Sequence, residues 1–246
     1  MSSAGGLLPV LYRSDLNGGW NVGMRAITGS LLVRSGALSG CVLEVGCGAG
    51  AFAAELQRDA AGIQVFAVDV QREAVDIAQR LDAGLWLAQA DVQRLPVAAE
   101  RFMAAIALDV LDQIGVEPVL ALTELHRVLA HGARLFIRVS AYPWLEGPHD
   151  VAFNTARRYG RHEIVALLGQ HGFEIERTTY ANGLLGLPVM LVRLLQRWGV
   201  MDLAPGLYGA TLTNPALRVA LGLEARWLQR RNLPAGLSLY VVARRR

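Results

Sequence analysis

The chain contains no lysine, because all 24 of its basic residues are arginine. A catalytic lysine Schiff base is therefore excluded. Net charge is small as well: the 24 arginines face 21 acidic residues, which leaves +3, and this excess indicates no nucleic-acid partner. Cysteine is limited to Cys41 and Cys47. Their spacing suits neither a disulfide framework nor a zinc site, so we expect no bound metal.

Long apolar runs are also missing, although the chain is apolar overall. Hydrophobic residues make up 53% of it and its mean hydropathy is +0.31, yet no run reaches the roughly 18 to 20 residues that cross a bilayer. The segment 183–195 comes closest, and Pro188 and Arg193 interrupt it. The first residues lack the basic segment and apolar core of a signal peptide. We expect a cytoplasmic protein with an unusually apolar surface, and a peripheral membrane contact stays open.

Three alternating glycines follow directly on an apolar segment that carries one acid. The segment 42–50 reads VLEVGCGAG, and its glycines are Gly46, Gly48 and Gly50. Glycine lets the backbone come close to a ligand where a Cβ would block it. A second apolar run, 65–68, ends in Asp69, and a carboxylate at a strand tip can accept both hydroxyls of a ribose. The pattern predicts a site for a nucleoside cofactor.

The glycine spacing alone fits two cofactors. Together with Ala51 it satisfies the GxGxxA pattern of dinucleotide-binding turns, so NAD is one alternative. Two acids favour S-adenosyl-L-methionine (SAM) instead. Glu44 lies two residues before the first glycine, where it can orient the methionine amine, and Asp91 follows the third predicted strand, where it can accept from the adenine amino group. A chain without lysine also lacks the Tyr-x-x-x-Lys pair of many NAD(P)-dependent oxidoreductases.

Strands and helices alternate along most of the chain. This predicts an α/β fold with a doubly wound, mostly parallel sheet of seven strands. The connection 180–236 before the last strand is long and rich in Leu, Val, Met and Trp, so we expect an α-helical insertion there. The predicted organisation is an N-terminal helical arm or cap (1–40), a SAM-binding core (41–179), a helical lid (180–236) and the last core strand (237–246). If the sixth strand is parallel to the others, the insertion begins over the ligand edge of the sheet.

With these motifs in order, the chain resembles class I SAM-dependent methyltransferases of the ubiquinone/menaquinone-methyltransferase-like type (methyltransferase type 11), which have a Rossmann-like fold. Within about residues 42–139, VLEVGCGAG, VFAVDV and ADVQRLP are similar to the family's first three motifs. The resemblance implies that SAM is the cofactor and S-adenosylhomocysteine the product. The residues that it places around the cofactor are Tyr12 in the arm, Glu44, Gly46, Cys47, Gly48 and Gly50 near the methionyl part, Asp69 at the ribose, Val70 on the adenine, Asp91 and Val92 at the adenine edge, and Leu108 and Asp109 near the methyl group.

The chain departs from the family pattern at two places. Asp112 and Gln113 stand where relatives often carry Glu-His, so any role of that histidine is absent. The turn that relatives build from Pro-Gly-Gly reads His131, Gly132 and Ala133 here, and we expect Gly132 to close the preceding helix. A non-catalytic, SAM-binding regulatory subunit therefore stays an alternative to an enzyme.

A looser resemblance covers residues 144–188, which look like methyltransferases that often accompany glycan- or lipid-building enzymes. The matching residues are His149, Asp150, Arg157, Arg158 and Tyr159. A hydroxyl acceptor benefits from a base with a pKa near neutrality, and His149 is the one histidine of five on a predicted site-edge loop. It is the candidate base, with Asp109 as the second candidate catalytic residue. Arg157 and Arg158 either bind an anionic group or form salt bridges with Asp150 or Glu163.

The sequence thus predicts methyl transfer from SAM to a small or lipid-like, largely apolar acceptor, with O-methylation favoured over C- or N-methylation. The residues do not name the acceptor. The candidate acceptor-site residues are Trp20, Tyr142, Trp144, Arg158 and Tyr159. A stripe with helical spacing in the insertion is core packing, an apolar lid, a homodimer contact or a membrane contact; it consists of Met190, Leu191, Leu194, Leu195 and Trp198.

Overall fold

The structure is a computed structural model that describes residues 16, 18–35, 38–82, 84–147, 150–151, 153–198, 200 and 215–246. Its centre is one seven-stranded sheet with the order β3-β2-β1-β4-β5-β7-β6. All neighbouring pairs from β3 to β5 are parallel, and β7 is antiparallel to both β5 and β6. The strands are β1 (Gly40–Val45), β2 (Ile63–Asp69), β3 (Trp86–Gln89), β4 (Phe102–Leu108), β5 (Leu129–Ser140), β6 (Phe173–Ala181) and β7 (Ser238–Arg245).

Helices cover both faces of this sheet, as the doubly wound prediction requires. They are α1 (Gly19–Arg34), α2 (Ala51–Asp59), α3 (Arg72–Leu81), α4 (Pro118–Val128), α5 (Arg161–Gln170), α6 (Gly183–Arg197) and α7 (Pro215–Leu228). Side chains of a central strand alternate between the two layers. Leu43 packs in the cluster that contains Leu125 of α4, whereas its neighbour Val42 packs in the cluster that contains Leu32 of α1. The predicted fold class, including the helical insertion before the last strand, is confirmed.

The fourth helix ends at the predicted residue, but Gly132 does not close it. It stops at Val128, and the chain continues at once as β5, with Leu129 paired to Phe102 of β4. Gly132 has a positive φ of +76° but lies inside β5, so it does not close the helix. The expectation of a separate turn there was wrong, because a register shift in the β4–β5 ladder absorbs the irregularity.

The insertion between β6 and β7 has two parts with different surroundings. Helix α6 starts directly after the carboxyl end of β6 and contacts a short 3-10 turn at Pro143–Leu145. Helix α7 packs against α1 and shares with it an apolar cluster that contains Ile27 and Leu221. Helices α7 and α1 together form a layer over one face of the sheet, so α6 is the part of the insertion that stays a candidate lid.

A carboxylate joins the two parts of the insertion. Glu224 of α7 is buried, and it accepts hydrogen bonds from the backbone N–H groups of Asn182, Gly183 and Leu184 at 2.5, 3.0 and 3.3 Å. An anion at a helix N-terminus meets the free N–H groups and the positive end of the helix dipole. Glu224 thereby fixes the start of α6. Burial raises the pKa of this carboxyl group above its ordinary value.

Helices α1 and α7 approach so closely that the contact requires a glycine. A Cβ placed on Gly23 would lie 2.5 Å from Cβ of Leu221, whereas a Cβ on Gly29 of the same helix would meet nothing within 4 Å.

We expect Gly23→Ala to lower the free energy of unfolding by about 1–3 kcal/mol, because it overpacks the helix contact. Gly29→Ala is the matched control and should raise it by up to about 1 kcal/mol, through helix propensity alone. Urea titrations of both variants check this. Equal effects of the two substitutions would mean that the close contact is not structural.

Candidate active site

The glycine turn lies at the carboxyl end of β1 and leads into α2. Each of its three glycines has a positive φ: +68° at Gly46, +54° at Gly48 and +77° at Gly50. The turn is held from β2, because the N–H of Cys47 donates to the carbonyl of Val68 at 3.0 Å. Gly46 is exposed, and a Cβ there would lie 2.5 Å from Cγ2 of Val110. The backbone of Gly46 is thus exposed at the position where the motif predicts a bound ligand.

Asp69 ends β2 and faces this turn. Its Oδ2 accepts from the N–H of Gly48 at 2.9 Å, and its Oδ1 accepts from the N–H of Gln71 at 2.8 Å. An ionised carboxylate offers about four acceptor positions, so each oxygen keeps capacity for a ribose hydroxyl. Asp69 therefore both fixes the turn and presents the acceptor that a nucleoside requires.

The remaining cofactor candidates lie along the same edge of the sheet. Glu44 is buried inside β1, Val70 is exposed directly after β2, and Leu108 is half-buried at the end of β4. The side chain of Val92 is buried in the core, so only its backbone could reach an adenine edge. The exposed apolar side chain of Val70, next to Asp69, suits an adenine ring.

Asp91 is held by a residue that the sequence analysis missed. Its Oδ1 accepts from the N–H of Gln93 at 2.9 Å, and the side-chain amide of Gln93 also donates to the carbonyl of Gly115 at 3.1 Å. Gln93 in turn accepts from the N–H of Glu117 at 3.0 Å. It thereby connects the segments after β3 and β4, and nothing in its sequence surroundings indicated this.

Asp109 follows β4 with a positive φ of +54° and forms a bidentate ion pair. Nε and Nη2 of Arg138 from β5 donate to its two oxygens at 2.9 and 2.5 Å. Arg138 also donates to the hydroxyl of Tyr240 at 3.3 Å, which in turn lies 2.9 Å from Oγ1 of Thr28. The pairing with Asp109 raises the pKa of Arg138 although burial lowers it. The network joins Asp109 to β7 and α1. Because the carboxylate of Asp109 is paired with Arg138, it is poorly placed to act as a general base.

Asp112 is the most perturbed carboxyl group of this edge. Its side chain is fully buried, and its Oδ2 accepts from the N–H of Ser140 at 2.9 Å. Burial, reinforced by the nearby charge of Asp109, raises its pKa from 3.8 to about 6. The residue that replaces the family's glutamate thus links the ends of β4 and β5.

This raised pKa makes stability depend on pH with a definite sign. Between about pH 4 and pH 6 an unfolded chain releases the proton of Asp112 while the folded chain retains it, so folding loses up to about 3 kcal/mol as the pH rises through this range. Asp112→Asn cannot titrate. The free energy of unfolding of Asp112→Asn minus that of the original chain should therefore rise by up to about 3 kcal/mol between pH 4 and pH 7. Urea titrations at both pH values check this, and an unchanged difference between the two proteins would contradict it.

Arg158 and Tyr159, predicted to bind the acceptor, are buried instead. The guanidinium of Arg158 donates to both oxygens of Asp150 at 2.9 and 2.5 Å and to the carbonyl of Ala141 at 3.0 Å. Tyr159 donates to the carbonyl of Leu111 at 2.9 Å, and burial raises its pKa to about 12. Arg157 pairs with Glu163. The salt-bridge interpretation of the two arginines is therefore the correct one, and neither Arg158 nor Tyr159 faces an acceptor.

Aromatic rings gather where β5 and β6 end. Tyr142 stacks on Tyr180, with ring centroids 5.3 Å apart and an angle of 10°, and its centroid lies 5.6 Å from that of Trp144. Tyr180 was missed, because it reads as an ordinary residue of β6. Trp144 is half exposed, at 48%. Trp20 is half-buried and packs against the α1–α7 cluster beside Leu108.

Two predicted site residues, Tyr12 and His149, lie outside the described residues. The flanks of His149 are described: the N–H of Gly147 donates to Oδ2 of Asp150 at 2.9 Å. Among the described residues no group of histidine, cysteine and acidic side chains could hold a metal. No described helix is both long and apolar enough to span a membrane.

Comparisons with known proteins bear on this arrangement. Residues 43–137 match a family described as "Methyltransferase domain". No curated protein matches the sequence significantly. Among solved structures, the [4+2]-cyclase SpnF has a TM-score of 0.65 at 22% identity, covering 97% of this chain and 93% of that one.

Two methyltransferases are also similar in structure. The geranyl diphosphate C-methyltransferase from Streptomyces coelicolor A3(2), solved with Mg2+, geranyl diphosphate and S-adenosyl-L-homocysteine, has a TM-score of 0.57 at 16% identity and covers 88% of this chain and 78% of that one. A SAM-dependent methyltransferase from Thermotoga maritima has a TM-score of 0.57 at 16% identity, over 92% and 91% of the two chains. These similarities show the fold.

The residues present fit the cofactor that the family uses. The bare turn at Gly46 and Gly48 offers backbone, Asp69 offers acceptors for a ribose, and the exposed Val70 offers an apolar surface for the base. Residues 43–137 thus match a methyltransferase domain, and the cofactor is SAM.

Proposed function

We propose that this enzyme transfers the methyl group of SAM to a small or lipid-like, largely apolar acceptor, with a hydroxyl as the favoured acceptor group. The observation that carries the proposal is the aromatic cluster of Tyr142, Trp144 and Tyr180 at the carboxyl ends of β5 and β6. It lies at the edge of the sheet that carries the glycine turn, and α6 begins beside it. Aromatic rings with a few polar groups are typical of pockets for apolar molecules.

Methyl transfer is a displacement at the sulfonium, for which SAM brings the electrophile. The protein then has to bind both partners, align the acceptor with the methyl group and exclude water. Asp69 and the glycine turn serve the first task. The Asp109–Arg138 pair serves the second, because it fixes the segment after β4 beside the methyl position that the family resemblance implies. The aromatic cluster and α6 serve the third.

The similar structures support an apolar acceptor only by analogy. The Streptomyces enzyme was solved with geranyl diphosphate, which has an apolar chain. A phosphoethanolamine N-methyltransferase from Haemonchus contortus, with a TM-score of 0.61 at 15% identity over 93% of this chain and 53% of that one, is named for a polar acceptor and does not support the proposal. SpnF is a [4+2]-cyclase on the same fold, so the fold alone does not fix the reaction. Direct detection of a methylated product is therefore needed.

The decisive experiment incubates the protein with methyl-labelled SAM and a lipid extract of its host, and identifies the labelled product by mass spectrometry. We expect one labelled class of apolar molecule, methylated at oxygen, and no label with the Asp69→Ala variant. Tight binding of S-adenosylhomocysteine without transfer to any component would instead favour a non-catalytic subunit. A similar structure is a Haloferax volcanii putative methyltransferase in complex with the Trm112 methyltransferase activator, so the assay should be repeated with a cell extract that supplies possible partner proteins.

His149 is the proposed base for a hydroxyl acceptor. The next residue, Asp150, is fixed by its ion pair with Arg158. His149→Ala should lower kcat by about 100-fold or more while leaving the affinity for SAM unchanged, since general-base catalysis typically contributes 10²–10⁴-fold. His131→Ala, in the exposed start of β5, is the matched control. Turnover at the original rate in the His149 variant would remove this residue from the mechanism.

A further inference from the structure

The outer face of α7 carries an apolar ridge that the fold leaves uncovered. Val219, Leu223 and Trp227 are 63%, 56% and 51% exposed. Their spacing of four residues places them one above the other on a single helix face. The inner face of the helix already supplies Leu221 and Leu228 to the contact with α1. A helix that is apolar on two faces, one of them exposed, indicates a contact beyond the fold.

Arginines surround the carboxyl-terminal end of this ridge. A concavity of about 650 Å³ is lined by Leu223, Arg226, Trp227, Gln229, Arg230 and Arg231. The guanidinium of Arg231 lies 5.5 Å from the centroid of the Trp227 ring. The one acid of α7, Glu224, is buried and caps α6, so it does not offset these charges at the surface. Tryptophan next to arginine on an exposed helix is the composition of helices that bind at membrane interfaces.

The positive charge continues onto the neighbouring surface. A second concavity, of about 610 Å³, has four arginines in its lining: Arg34, Arg134, Arg161 and Arg177. Arg34 donates to the carbonyl of Gln229 at 2.9 Å, and Arg177 donates to that of Arg231 at 3.0 Å, so these side chains adjoin the first concavity. The acid in this lining, Glu176, is paired with Arg134 at 2.7 Å. Uncompensated guanidinium groups in a recess suit anionic oxygen atoms.

Arg177 shows that the charge is not neutralised within the described residues. Its Nη1 atom is buried without a hydrogen-bond partner there. Burial, together with the nearby charge of Arg34, lowers the pKa of Arg177 to about 10. An external anion near Arg34 and Arg177 would offset their mutual repulsion and raise the pKa of Arg177 again.

We propose that the exposed face of α7 and the arginines around its carboxyl end dock on a membrane surface that contains anionic phospholipids. Trp227, Leu223 and Val219 enter the boundary between headgroups and acyl chains, and the arginines bind lipid phosphates. Glu224 of the same helix fixes the start of α6 at the active-site edge, so α7 connects the proposed docking face to that edge. The docking itself does not depend on the identity of that acceptor.

The test is co-sedimentation of the full chain with vesicles of phosphatidylcholine alone and of phosphatidylcholine mixed with phosphatidylglycerol. We expect binding to the mixed vesicles that weakens strongly as salt is raised. Arg226→Gln and Arg230→Gln should each lower the partition coefficient about fivefold, and Trp227→Ala about tenfold or more. The matched control is Trp86→Ala: Trp86 is 57% exposed on β3 at the far edge of the sheet, and its loss should change nothing.

Other outcomes contradict the proposal directly. Equal binding to both vesicle types would exclude recognition of anionic phospholipid. Equal binding of the Trp227 and Trp86 variants would exclude α7 as the docking face. A dimer in light scattering that dissociates in Trp227→Ala would assign the ridge to a second copy of the chain instead. Because Trp227 is exposed, the variants should fold, and retained affinity for S-adenosylhomocysteine in each variant verifies this.

Discussion

Asp69→Ala should weaken the binding of SAM and S-adenosylhomocysteine by about a hundredfold or more. The substitution removes acceptors for the ribose hydroxyls, each charge-assisted bond being worth roughly 1.5–3 kcal/mol. It also removes the bond that Oδ2 accepts from Gly48 at 2.9 Å, and so loosens the turn that the cofactor contacts. The effect should therefore exceed the loss of the ribose contacts alone.

Calorimetric titrations measure this effect. Asp69→Asn keeps one acceptor oxygen, so its affinity should lie between that of the original chain and that of Asp69→Ala. Asp59 is in an exposed ion pair at the end of α2, and Asp59→Ala should bind as the original chain does. NAD should show no binding to any of these proteins. An affinity for NAD above that for S-adenosylhomocysteine, or a loss below threefold in Asp69→Ala, would contradict the assignment of the site.

Arg158→Met should destabilise the protein by about 3–5 kcal/mol, since it leaves the carboxylate of Asp150 buried without its cation. The side chains of the pair are only 2% and 4% exposed. Its neighbour is a nearly ideal control: Arg157 and Glu163 are 47% and 41% exposed, and Arg157→Met should cost less than about 1 kcal/mol.

Urea unfolding of the two variants distinguishes these expectations. The double variant Arg158→Met with Asp150→Leu should recover much of the lost stability, because no unpaired charge remains. Equal costs for Arg157→Met and Arg158→Met would show that the buried pair is not what anchors the segment before α5.

The fold follows from local patterns, and this is why it was predicted; the proposed cofactor residues rest on patterns of the same kind. Alternating glycines need positive φ angles whatever surrounds them, and Asp69 ends a strand whose apolar run is visible in the sequence. The parallel order of the strands then brings Glu44, Asp69 and Asp91 to one edge. Periodicity and turn chemistry are properties of short segments, so a single sequence carries them.

The parts that were missed depend on contacts between distant segments. Arg138 resembles any strand residue until β4 brings Asp109 opposite it, and Glu224 resembles a surface acid until α6 places three N–H groups on it. Tyr159 was misjudged for the same reason, because its hydroxyl donates to the carbonyl of Leu111, 48 residues away in the sequence. For Arg158 the sequence offered both an anionic ligand and the salt bridge with Asp150, and only the fold shows that the pair is buried. Apolar content also cannot distinguish a helix that covers a site from one, like α7, that packs on α1, so the extent of the lid stays a prediction.

The position of β7 between β5 and β6 has a consequence for synthesis on the ribosome. β5 and β6 share no ladder with one another, and each is hydrogen-bonded to β7, which leaves the exit tunnel only after the whole insertion. Until then a nascent chain displays the open edge of β5 and an unpaired β6. Such edges recruit strands from other chains. We therefore expect ribosome-stalled chains that stop before Ser238 to depend on chaperones, and chains that include β7 to be released from them.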